Sequence, residues 1–101
     1  MDKYQELIKD LESEYNYLTD AVETYFEEYG RFQRKCDRYS KQITEYLRAS
    51  EEKKQIHARD MYEMFKPQRD RARDTYYAYK DSSRAIKKVL DKAKEQDNEE
   101  Y

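Results

Sequence analysis

The chain has 101 residues, 44% of them charged and 37% hydrophobic, with a formal net charge of −2 and one Gly, one Pro and one Cys. So few Gly and Pro leave out the turn residues that strand-rich or loop-rich folds need, and a globular core of three layers would require more apolar side chains. A lone Cys excludes an internal disulfide, and no stretch approaches the roughly 20 apolar residues that span a bilayer.

The N-terminal residues Met1-Asp2-Lys3-Tyr4 lack the basic and then hydrophobic regions of a secretory signal. The expectation is a chain made in the cytoplasm, without membrane insertion. From Tyr4 onward, thirteen positions spaced alternately four and three residues apart are all apolar or aromatic: Tyr4, Ile8, Leu11, Tyr15, Leu18, Val22, Tyr25, Tyr29, Phe32, Cys36, Tyr39, Ile43 and Tyr46. Such a heptad repeat, with no charged interruption, predicts a helix over about residues 2–48 that lies along another helix.

The seam lapses after Leu47 into Arg48-Ala49-Ser50-Glu51-Glu52. Ser50 can cap a new helix whose first turn carries two Glu at the positive end of its dipole, so a bend is expected at about 48–52 and a second helix over about 51–96. Each arm would then be roughly 70 Å long. The second arm keeps heptad spacing through Ala58, Met61, Phe65, Gln68, Ala72, Thr75, Tyr79, Ser82, Ile86, Val89 and Ala93. Pro67 removes the hydrogen bond to the Glu63 carbonyl, which predicts a kink or short break between about Glu63 and Pro67. Met61, Tyr62, Met64 and Phe65 gather just before it, as an adaptable docking point would require. The acidic ending, residues 97–101 with Glu99-Glu100-Tyr101, reads as a frayed tail.

Folding back near residue 50 sets Tyr29 near Ala72, Cys36 near Phe65, Tyr15 near Ile86 and Ile8 near Ala93, so large side chains meet small ones. Charge favours the same arrangement. Residues 1–30 hold nine acids and two bases, and residues 71–94 hold eight bases and three acids. The fold class that follows is all-α, a single antiparallel two-helix hairpin or coiled coil. More apolar surface exists than a two-helix seam covers: Phe26 and Leu47 flank the first arm, with Leu7 and Ala21 on its other side, and Tyr62, Tyr76 and Leu90 form a stripe on the second. Phe26, Leu47, Tyr62, Tyr76 and Leu90 are the candidate partner-binding residues, for a helical protein or for self-association.

Catalysis finds no constellation to stand on. His57 is the only histidine and Cys36 lies in the seam as a small hydrophobe, so no metal set, nucleophile pair or cofactor site is expected, and no Gly-rich phosphate loop can form around Gly30 alone. The reading is non-enzymatic. The runs Lys66–Arg73 and Lys87–Lys94 are locally basic, yet the net charge is negative and the fold offers them an acidic intramolecular neighbour, so no nucleic-acid binding is expected.

A helical hairpin of this size resembles the small proteins of the Trp-x-Gly superfamily that accompany type VII secretion in Gram-positive bacteria. Members carry a Trp-x-Gly bend and a Tyr-x-x-x-Asp/Glu signal late in the second helix. Tyr77-Ala78-Tyr79-Lys80-Asp81 matches the second element with Tyr77 and Asp81, whereas Arg48-Ala49-Ser50 stands at the bend and the chain has no Trp. That departure points to the divergent helical partners of LXG-type toxins. What the resemblance implies is an escort that binds the helical domain of a toxin, or a second small helical protein, and is exported with it without a signal peptide. A homo-oligomeric structural coiled coil and a small helical adaptor or inhibitor of a host protein are the alternatives.

Overall fold

The computed structural model describes residues 2–99, with side chains through Asp97. It contains two long helices, α1 (Lys3–Arg48) and α2 (Glu52–Glu99), joined by a tight turn into an antiparallel hairpin, and no strand among the described residues. Asp2 starts α1: its carboxylate accepts the Gln5 N–H at 2.7 Å and its carbonyl accepts the Glu6 N–H at 3.1 Å, which satisfies donors that have no partner inside the helix.

The turn differs from the expectation at one residue. Ser50 does not cap α2; it closes α1. Its φ is 56°, its N–H donates to the Leu47 carbonyl at 3.2 Å, and the Glu51 N–H donates to the Tyr46 carbonyl at 2.9 Å. These are the paired bonds of a Schellman ending, in which the left-handed residue is most often Gly. Glu51 takes the N-terminal role in α2, its carbonyl accepting the Gln55 N–H at 3.0 Å and its carboxylate pairing with Lys54 at 3.0 Å. The chain reverses in so few residues because one residue ends the first helix and the next begins the second.

α2 runs unbroken through Pro67, so of the kink or short break expected there the break is absent and the helix continues across the proline. Pro67 lies on an exposed face, where water can reach the backbone groups it disrupts, and the Gln68 side-chain amide donates to the Met64 carbonyl at 3.4 Å. α2 continues to Glu99, into the stretch expected to be a frayed tail, and residues 100 and 101 lie outside the described residues.

Packing forms two compact units: residues up to Thr24 together with those from Tyr76 onward, and Tyr25–Thr75. In the first, the Tyr4 hydroxyl donates to the Ala93 carbonyl at 2.8 Å, with Gln96 Oε1 also near at 3.1 Å, and Lys94 pairs with Glu12 at 3.2 Å. Leu18 and Leu90 are buried there. In the second, Phe65 of α2 lies between Phe32 (ring centroids 6.2 Å apart) and Tyr39 (6.0 Å apart, 8° between planes) of α1. Those two rings stand one helical turn before and after the buried Cys36, which agrees with the expected meeting of Cys36 and Phe65. Every one of the thirteen seam positions in α1 is buried or half-buried.

The seam of α2 shifts partway. Ala58, Met61, Phe65, Gln68 and Ala72 face inward as expected, but beyond them Ser82 is exposed and Val89 is 53% exposed, while Ser83 is half-buried and Leu90 is 5% exposed. The inward positions run Ala72, Tyr76, Tyr79, Ser83, Ile86, Leu90 and Ala93, two successive steps of four (Gln68 to Ala72 to Tyr76) in place of four and three. Ala72, Tyr79, Ile86 and Ala93 keep their seven-residue spacing while the inward positions between them move on by one residue, the direction in which a helix of 3.6 residues per turn drifts from a strict heptad. Placing Leu90 rather than Val89 inward also buries the larger side chain.

Candidate functional site

The hairpin leaves little interior. The buried hydrophobic residues are Leu18, Cys36, Ala58, Ala72, Leu90 and Ala93, four of which are Ala or Cys. Small residues at the seam allow the backbones to approach under half-buried Tyr rings, and they also limit how much apolar area each contact removes from water. Leu7, Tyr17, Phe26, Leu47, Ile56, Met64, Tyr77 and Val89 are exposed by half or nearly half.

The predicted partner-binding residues separate into three groups. Phe26 (57% exposed) and Leu47 (61% exposed) lie on the surface of the second unit. Tyr62 and Tyr76 are half-buried, Tyr62 near Arg69 and Tyr76 packed against Tyr77 at 5.0 Å between ring centroids with Lys80 at 5.6 Å from its ring. Leu90 is not a surface residue at all: the one-residue shift of the α2 seam turns it into the interior of the first unit. Tyr77 and Asp81 are both exposed one turn apart on α2. The cluster before Pro67 also divides, with Met64 at the surface and Phe65 in the aromatic stack.

What replaces Leu90 is a groove in the first unit lined by Tyr4, Leu7, Leu11, Val89 and Ala93, with Lys92 and Gln96 at its edge. Leu7 at 49% and Val89 at 53% exposure border it. Leu7 stands where the heptad places a flank of the first seam; the heptad places Val89 in the interior, and Tyr17 and Ile56 fall at no flanking position. The eleven-residue spacing from Tyr79 to Leu90 is the signal that would have exchanged Val89 for Leu90.

In the second unit, a groove is lined by Tyr25, Phe32 and Ala72 with Glu28, Gln68, Arg71 and Thr75. Large and small residues meet here as expected, Ala72 leaving room for the neighbouring rings. Cys36 is only 1% exposed, and burial raises its thiol pKa although the nearby Arg69 charge pulls in the other direction. The thiol is therefore protonated and shielded. Burial opposes the charge on Arg69, but a hydrogen bond and the charge of Asp70 outweigh it and raise its pKa. His57 is exposed, and among the described residues no group of three or more His, Cys, Asp or Glu is placed to hold a metal ion. No described helix is long and apolar enough to cross a membrane. No family model matches the chain, and no curated protein or solved structure is significantly similar to it.

Charge contributes less to closure than the sequence blocks suggested. Among the described residues one ion pair, Glu12–Lys94, links the two helices, and both partners are about half exposed. Such a pair is worth on the order of 0.2–1 kcal/mol.

Proposed function

We propose that this protein is a non-enzymatic helical interaction module whose exposed apolar side chains complete a larger bundle with a helical partner. The observation that carries the reading is the imbalance between its interior and its surface: among the described residues, six buried hydrophobic ones, mostly small, stand against eight large apolar side chains in water. A partner helix laid in the groove of Tyr4, Leu7, Leu11, Val89 and Ala93 would cover the exposed Leu7 and Val89 of the first unit. Phe26 and Leu47 are the corresponding contacts on the second unit.

Within that class, the role proposed is an escort for the helical domain of an LXG-type toxin in type VII secretion. Support for it comes from the two-helix hairpin form and from the exposed Tyr77 and Asp81, which are spaced as a recognition element. Co-expression with the helical product of a neighbouring gene tests the reading. Co-purification is expected, and Leu7→Arg or Val89→Arg, each at an exposed residue of the groove, is expected to weaken it at least tenfold while helicity is kept. A protein that ignores every helical product of its own gene neighbourhood is not an escort.

A further inference from the structure

We infer that a second copy of the chain covers the apolar side of the first unit, α1 of each copy lying antiparallel on α2 of the other. Every residue concerned belongs to that one unit. On α2, Ala78, Ser82, Ala85, Val89, Lys92 and Gln96 follow one another at steps of four and three, alongside the seam and outside it, and all are exposed. On α1, Lys3, Leu7, Asp10, Glu14, Tyr17 and Ala21 repeat the same steps, Ala21 half-buried and the others exposed. Leu7, Val89, Lys92 and Gln96 line one groove, so the two stripes flank the seam on the same side of the unit.

The two flanks of α2 differ in kind. Along its other flank, Tyr77, Lys80, Arg84, Lys87, Asp91 and Lys94 set four cations against one acid, an edge that stays solvated. The apolar side holds two bases and two acids among its twelve positions, so no excess of charge draws a nucleic acid or an anionic membrane to it. Its large members are open to water, Leu7 at 49%, Tyr17 at 59% and Val89 at 53% exposure. No ion pair among the described residues uses Lys3, Asp10, Glu14 or Lys92.

The occupant follows from how the stripes differ. α1 supplies the large and acidic members, Leu7, Tyr17, Asp10 and Glu14, and α2 supplies the small ones, Ala78, Ser82 and Ala85, with one base, Lys92. Each stripe is the complement of the other, and a two-fold axis running along the helices of the unit sets α1 of each copy on α2 of its partner. That axis keeps the register of the hairpin, because the helices of the two copies meet at the heights at which they meet within one chain. Tyr17 then comes level with Ser82 and Ala85, a ring over small residues, as in the seam itself. Glu14 stands two residues after Glu12 and Lys92 two before Lys94, so the register that lets Glu12 reach Lys94 at 3.2 Å within a chain brings Glu14 to Lys92 of the other copy, with Asp10 beside it. Lys3 comes level with Gln96 and meets no cation. The result is a four-helix bundle in this unit. The dimer uses the groove proposed for a client helix, so copy and client exclude one another, but it concerns the protein by itself and does not rest on the client.

Sedimentation equilibrium of the whole protein at micromolar concentration is expected to give twice the 12.5 kDa chain mass. Ala85→Arg puts a long charged side chain where Tyr17 of the other copy lies, and one chain mass with unchanged helical circular dichroism is expected, since Ala85 is exposed within its own chain. K92E and D10K/E14K each set like charges against one another across the dimer and are expected to raise its dissociation constant about tenfold or more, whereas their equimolar mixture places opposite charges at both contacts and recovers the dimer. K87E, on the other flank of α2, is expected to dimerise as the wild type does. The inference is overturned if the wild-type protein stays at one chain mass, if Ala85→Arg or both charge variants dimerise like the wild type, if the mixture does not recover, or if K87E weakens the dimer as much as K92E. The protein alone is the sample, so a failed dimer leaves the client reading standing.

Discussion

The two packing units solve the same closure problem with different chemistry. Residues 25–75 are joined by rings, with Phe65 between Phe32 and Tyr39 and cations laid over the outer faces, next to a turn that satisfies its own backbone bonds. The other unit has Leu18, Leu90 and Ala93 inside, one Tyr hydroxyl bonded across to a carbonyl, and one exposed ion pair. The contrast teaches where each unit is vulnerable. A unit closed by aliphatic side chains depends on a few buried positions, whereas the ring-closed unit tolerates a proline within α2 and a left-handed serine at its turn.

The largest expected effect tests that dependence in the first unit. Leu90→Ala is expected to cost about 3 kcal/mol in urea unfolding because the side chain is nearly fully buried, and Val89→Ala less than about 0.5 kcal/mol. Equal effects would mean that the α2 seam keeps its strict heptad. Next comes Pro67. Replacing it with Ala restores an N–H inside α2 and is expected to stabilise the protein by about 1–3 kcal/mol, with slower amide exchange around residues 60–70. Ser50→Gly should stabilise by about 1 kcal/mol, and Ser50→Val should destabilise, because only glycine holds a φ of 56° without a Cβ penalty.

The smallest effect is a pH dependence in the ring-closed unit. Burial holds the Cys36 pKa above its unfolded value, so the folded state keeps the proton while the unfolded chain releases it. The corresponding stability is present below about pH 8.5 and is lost as pH rises through the higher folded pKa. Wild-type unfolding midpoints should therefore fall relative to those of Cys36→Ala in alkaline buffer and run parallel to them near neutrality.

Much of this was legible in residue order. The thirteen apolar positions of α1 located its buried face residue by residue, and with no Pro and a single Gly, Gly30, among them no other secondary structure was left to consider. The second helix was harder to read. Its seam is built from Ala, Gln, Thr and Ser as much as from large residues, so the pattern could not distinguish Val89 from Leu90 as the inward side chain, and with that choice went one of the five proposed contact residues.

Residue order by itself determined that the chain makes two long helices and turns back near residue 50, because periodic burial and the lack of breakers are local properties. Only the tertiary structure decided that Ser50 ends one helix while Glu51 starts the next, that α2 passes through Pro67, and that its seam steps by one residue near Ala72. Those outcomes depend on how one helix tracks another over many turns, where a drift of a fraction of a residue per heptad accumulates until packing corrects it.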